Sequence, residues 1–172
     1  MVTPATAPVA TPVETWDNLT TGIATSVAND LASIKCAEVT FTQTSAAGTY
    51  TGSVSVPAGS TIIDIQVRST VLWNAGTSST MKVGDTDDDG WYTGIDLQAT
   101  DLVVGEVIRF GSTGGKEGVY IVVATGAQNA SYSASARLVT GIITTVGTGT
   151  AGRTRMLVLF TSPPTTTAAT KV

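Results

Sequence analysis

The stretch IIDIQVRSTVLW, residues 62–73, decides the fold class. Ile63, Ile65 and Val67 alternate with Asp64, Gln66 and Arg68, the period-two pattern of a strand with one buried and one wet face. Val71 continues the phase, so the spacing predicts that Ile63, Ile65, Val67 and Val71 share one face. Just upstream, Pro57-Ala58-Gly59-Ser60 is a strong turn, and Tyr50–Val56 before it forms a second strand. Further back, Ala37, Val39 and Phe41 alternate with Glu38, Thr40 and Thr42, and Ser45–Gly48 turns the chain between those two strands. Downstream, strands are predicted at Thr80–Val83, Val107–Phe110, Val119–Ala124, Ala134–Thr145 and Arg155–Phe160. Asn74–Ser79, Gly114-Gly115 and Gly147–Gly152 supply the turns between them. Some eight strands joined by short turns imply an all-β domain, a two-sheet sandwich or a barrel, with a jelly-roll-like sandwich the preferred form.

Composition agrees. Hydrophobic residues make up 42% of the 172-residue chain, enough for one real core, while charged residues reach only 13%. That is roughly half the charged share of an average soluble domain. Threonine and valine fill much of the gap, and both are β-branched, which suits pleated strands and disfavours helix interiors. The net charge of −4 gives no basic stripe for nucleic acid or an anionic membrane surface. No apolar run approaches the ~20 residues of a membrane span. The N-terminus lacks a charged region followed by an apolar one, so no secretory leader is expected. Cys36 is the sole cysteine, which excludes an internal disulfide and fits folding in a reducing cytoplasm.

Both ends differ from the middle. Residues 1–13 read MVTPATAPVATPV, with Pro4, Pro8 and Pro12 at an even spacing of four. Proline fixes φ and removes backbone donors, so this arm is expected to be extended and unable to pack alone. It is either a disordered tail or an arm that orders along a neighbouring subunit, with Pro4, Pro8, Pro12, Val13 and Trp16 as the contact residues. From Trp16 to Ile34 the apolar residues Trp16, Leu19, Ile23, Val27, Leu31 and Ile34 recur at three or four positions, which predicts a short helix or a loose helical connector. The chain thus divides into an arm at 1–15, a connector at 16–34, a β-sandwich at 35–160 and an extended proline- and threonine-rich tail at 161–172.

Catalytic chemistry finds few carriers. Histidine is absent, which removes the commonest general base, the Ser-His and Cys-His nucleophile pairs and histidine-ligated metal sites. No P-loop, GxGxxG or GxSxG motif occurs. Cys36, on a predicted strand with no histidine to activate it, reads as a small buried hydrophobe. No enzyme is expected. The sharpest local feature is Asp85-Thr86-Asp87-Asp88-Asp89-Gly90. Asp85, Asp87 and Asp89 with Gly90 reproduce the D-x-D-x-D-G half of a calcium loop, and Asp96 falls where such a loop places its last carboxylate. Against calcium, that last ligand is usually glutamate and no helical pattern flanks the loop, so the segment also reads as a solvated turn. Trp91 and Tyr92 follow side by side, and strand alternation predicts one inward and one outward. The ten aromatic residues do not form a spaced stacking platform for nucleic acid or glycan.

Several stretches resemble virion structural proteins of tailed bacteriophages. They are Val56-Pro-Ala-Gly-Ser-Thr-Ile-Ile-Asp-Ile, Leu72-Trp73-Asn74-Ala75-Gly76-Thr77-Ser78-Ser79-Thr80-Met81, Val83-Gly84-Asp85 and Asp88-Asp89-Gly90-Trp91. Ala99-Thr100-Asp101-Leu102, Tyr132-Ser133-Ala134-Ser135-Ala136-Arg137 and Gly152-Arg153-Thr154-Arg155-Met156-Leu157-Val158 extend the likeness over most of residues 54–160. The resemblance implies a capsid decoration, or cement, protein made in the host cytoplasm and displayed on the outer surface of the head. Such proteins sit as homodimers or homotrimers across junctions of the major capsid protein, with arms on neighbouring subunits. It brings no catalytic residue. A tail, fibre or host-recognition module is the alternative, with the loop at Asn74–Ser79 or Asp85–Tyr92 facing a receptor. A calcium-dependent carbohydrate-binding module built on Asp85, Asp87 and Asp89 is a third reading.

Overall fold

The computed structural model describes residues 34–44, 46–121 and 131–161. Nine strands follow one another: β1 (Ile34–Thr42), β2 (Gly48–Val56), β3 (Ser60–Val71), β4 (Ser78–Gly84), β5 (Tyr92–Asp96), β6 (Val107–Ile108), β7 (Tyr132–Ser133), β8 (Arg137–Val146) and β9 (Arg153–Thr161). The described residues contain no helix. Every pairing is antiparallel. One sheet runs β1-β9-β3-β6, with β7 also on β3, and the other runs β2-β8-β4-β5.

Setting aside the two-residue β7, the pairing is nested. The first strand pairs with the last (β1 with β9), the second with the second-last (β2 with β8), the third with the third-last (β3 with β6), and the two middle strands with each other (β4 with β5). A long antiparallel hairpin rolled into two facing sheets is the jelly roll. Between the sheets lie Val54, Val56, Ile62, Ile65, Val67, Met81, Val83, Ile95, Val139, Ile143, Met156, Val158 and Phe160, all buried. Each such aliphatic side chain contributes about 1.5–3 kcal/mol on burial. Two polar bonds tie the layers. The Tyr92 hydroxyl on β5 donates to the Ile65 carbonyl on β3 at 2.6 Å, and the Trp73 indole donates to the Thr154 hydroxyl at 2.8 Å. Burial and the neighbouring Asp64 carboxylate push the Tyr92 phenol well above its ordinary range, which keeps it a donor.

The two sheets meet most closely where Gly52 on β2 lies opposite Gly141 on β8. A Cβ on Gly141 would stand 2.7 Å from Met81 Cε and 2.8 Å from Phe41 Cζ, so the glycines make room for the Phe41 ring.

Register corrects the expectation for β3. Its pairing with β9 shifts between Ile62 and Asp64 and again between Ser69 and Val71. An extra residue in a strand reverses the alternation across it. Ile62 therefore enters the core with Ile65 and Val67, whereas Ile63 is 43% exposed and Val71 41% exposed. A similar irregularity corrects the Trp91-Tyr92 expectation. Between Met81 and Val83, β4 faces Ile95 and Tyr92, so β5 carries one residue more; Gly94 lies in this stretch with φ +50°. Trp91 precedes the strand, bonds through its N–H to the Val83 carbonyl, and is buried together with Tyr92.

Three further expectations change. Cys36 is exposed, because it shares the outward phase of β1 with Ile34 and Glu38. Ile34 belongs to β1 and not to a helical connector. The strand expected at Val119–Ala124 is absent over residues 119–121, which form a turn closed by the Ile121 N–H on the Gly118 carbonyl.

Candidate interaction surface

Among the described residues, β1 starts where β9 ends. Ile34 is the register partner of Thr161, so the chain leading into the domain and the chain leaving it meet on adjacent strands at one corner. The Thr161 hydroxyl in turn accepts the Thr61 N–H at 3.0 Å, and Thr61 is the register partner of Tyr132 on β7. Four strands thus converge on this corner. Its outer surface is apolar for a sheet face in water. Ile34 is 46%, Ile63 43% and Tyr132 61% exposed, with half-buried Leu159 beside them opposite Cys36 and Asp64. The bulge at Ile62–Asp64 creates part of this surface, since it turns Ile63 out of the core. Further along the same face the polar pattern returns, and Arg155 Nε donates to Glu38 Oε1 at 2.7 Å across the β1–β9 pair.

The outer face of the second sheet is of another kind. Thr49, Thr51, Ser53 and Ser55 on β2 face outward beside Thr140 and Thr144 on β8. Ser53 and Thr140 hydroxyls hydrogen-bond at 2.8 Å across the strands. This surface is hydroxyl-covered, with Lys82 and Asp96 as its charges on β4 and β5.

The aspartate loop is tied down from inside. Asp85 lies 3.6 Å from Arg137, and both side chains are close to fully buried. Burial lowers the Arg137 pKa, and the Asp85 carboxylate works against that shift. The Arg137 guanidinium also bonds the Ser131 carbonyl and sits 5.5 Å above the Trp91 ring. Trp91 stacks on Phe110 at 5.4 Å and meets the Tyr120 ring edge-on at 5.2 Å. The Lys82 ammonium lies 3.4 Å from Asp88 and 3.6 Å from Asp89; Asp88 is the main cause of its raised pKa. The carboxylates brought together are those of Asp87, Asp88 and Asp89, within 4.8 Å of one another. Asp85 points to Arg137 instead. Asp96 stands at the far end of β5, accepting the Gln98 N–H while its own N–H donates to Asp101. Sequence spacing singled out the odd positions and passed over Asp88, because a turn does not hold the alternation that a strand does.

The second candidate loop is equally committed. Asn74 Oδ1 accepts the Thr150 and Ala151 N–H groups at 2.8 and 2.9 Å, and the Gly76 N–H donates to the Thr148 carbonyl. The arm residues Pro4, Pro8, Pro12, Val13 and Trp16, the connector before Ile34 and the tail beyond Thr161 lie outside the described residues. No described helix is long and apolar enough to cross a membrane.

No family model matches the chain, and no curated protein matches it. Two solved structures are similar to it. One is from the acidic stable capsid structure of Helicobacter pylori bacteriophage KHP30, 14% identical with a TM-score of 0.47 over 76% of this chain and 88% of that one. The other is from the cyanophage Pam1 capsid asymmetric unit, 14% identical with a TM-score of 0.48 over 76% of this chain and 85% of that one.

Proposed function

We propose that this chain is a non-enzymatic bacteriophage capsid decoration protein, which binds the outer surface of the major capsid protein shell and stiffens it through a jelly-roll body and extended arms. The observation that carries the reading is the shared corner. Ile34 lies opposite Thr161, so both proline- and threonine-rich segments leave from one place, beside exposed Ile34, Ile63 and Tyr132. A body that presents two tethers and an apolar patch on one side is suited to lying against a larger surface. The sequence resemblance over residues 54–160 points to the same role. Ordering the arms costs conformational entropy, which added strand pairing and buried valine and proline surface offset. Repetition over symmetric sites turns weak single contacts into firm attachment. Both candidate receptor loops of the tail or fibre reading are bonded internally.

Quantitative mass spectrometry of purified virions, ratioed to the major capsid protein, tests the proposal. A copy number comparable to the capsid protein supports it, whereas a handful of copies moves the chain to the tail. A variant lacking residues 1–13 is expected to bind undecorated shells more weakly while its β-body melts unchanged. Saturation of shells with unaltered affinity would remove the arm from the model.

A further inference from the structure

Among the described residues the jelly roll has four edge strands, and they are not equally protected. β6 is two residues long. β5 is interrupted at Gly94 and bridged at Tyr92 by Glu117. β1 carries Lys35 and Glu38. β2 has none of these devices. Its nine residues, GTYTGSVSV, include no charge and no proline, and its register with β8 runs without a break from Gly48 to Val56. Soluble proteins blunt such edges with charge, proline, bulges or a covering segment, because an open edge recruits another strand.

The arm has the complementary pattern. In an extended chain successive N–H groups point to opposite edges. Pro4, Pro8 and Pro12 all occupy even positions, so every missing donor falls on one edge of the arm. The other edge keeps the N–H groups of Thr3, Ala5, Ala7, Val9, Thr11 and Val13. Such a strand can pair on one side and cannot recruit a further strand on the other. Residues 1–13 also carry no charged side chain, which matches the uncharged β2.

We infer that the free edge of β2 is the docking site for residues 3–13 of a neighbouring copy of this chain, which adds a terminal strand to the β2-β8-β4-β5 sheet. The inference extends the arm reading given above. A neighbour's arm is favoured over the chain's own by the connector. Its apolar residues from Trp16 to Ile34 recur at helical spacing, and a helix of that length would hold the arm roughly 28 Å from Ile34. Each copy then gives one arm and receives one, and the proline edge faces outward and ends the sheet.

Two single substitutions in the full chain test this. Ala7→Pro removes a donor from the pairing edge, and Ala10→Pro makes the same chemical change on the edge already lacking donors. Amide exchange read by mass spectrometry should show residues 48–56 at least ten-fold less protected in Ala7→Pro and unchanged in Ala10→Pro, with β3 and β9 unaffected in both. Protection of 48–56 in the unsubstituted chain should also fall on dilution, in step with loss of oligomer by light scattering. An equal effect of the two prolines, or none, overturns the inference. Protection that persists in the diluted monomer overturns the neighbour's arm in favour of the chain's own. All these readings are made without shells, so failure to bind shells with the parity effect intact would strike the decoration reading alone.

Discussion

The aspartate loop and the arm-exit corner are opposites in how they use their side chains. At the loop, conspicuous groups are turned inward: Asp85 meets Arg137, Arg137 covers Trp91, and Trp91 is closed in by Phe110 and Tyr120. At the corner, ordinary strand residues are turned outward, and Ile34, Ile63 and Tyr132 stand in water. The first region is rich in charge and aromatic character yet has most of its bonding capacity met within the fold. The second has no motif at all, yet it leaves apolar surface open beside the departure points of both terminal segments. Conspicuous chemistry in a sequence is therefore a poor guide to which surface of a structural protein meets its partner.

The comparison breaks most sharply at Trp91. Trp91→Ala is expected to destabilise the domain by about 3–5 kcal/mol, the usual effect of emptying a large aromatic site, measured by denaturant unfolding. A loss near zero would mean that the aromatic cluster is not part of the core. Next in size is Asp85→Asn, which leaves the Arg137 guanidinium without its carboxylate in a nearly buried setting and should cost about 3 kcal/mol. A milder result, under about 1 kcal/mol, would place the pair in effective contact with solvent.

Acid should reveal a smaller contribution from the loops around β5. Burial would raise the Asp101 pKa, but the Asp96 N–H and the Lys116 ammonium at 2.9 Å outweigh it and hold that carboxyl below its usual range. A depressed folded-state value gives stability that is complete above the unfolded pKa of about 3.9 and is lost as pH falls through the lower folded value. Asp101→Asn should flatten the fall in melting temperature below about pH 4; an unchanged acid limb would show that other carboxylates set it. Smallest of all should be the stability change in the double variant Ile34→Ser, Ile63→Ser, within about 0.5 kcal/mol because both side chains are already in water. Its binding to shells should nonetheless drop, and a variant that melts and binds as the unsubstituted chain does would remove the corner from the interface.

What the sequence determined by itself is the class of the fold. Alternation in residues 37–42, 50–56 and 62–73 and the turns at Pro57–Ser60 and Gly147–Gly152 are local properties, fixed by the two-residue period of the strand and by the backbone freedom of the turn residues. The jelly roll then follows from which strands pair, and pairing joins residues as distant as Ile34 and Thr161, which no local period encodes. Register is likewise tertiary. One extra residue in β3 moved Ile62 inward and Ile63 outward, and one in β5 allowed Trp91 and Tyr92 to be buried together. The corner owes its existence to both effects, since only the closed pair of sheets sets the start of β1 against the end of β9. Side-chain direction depends on hydrogen-bond partners across the sheet, and those partners are chosen by the packed whole.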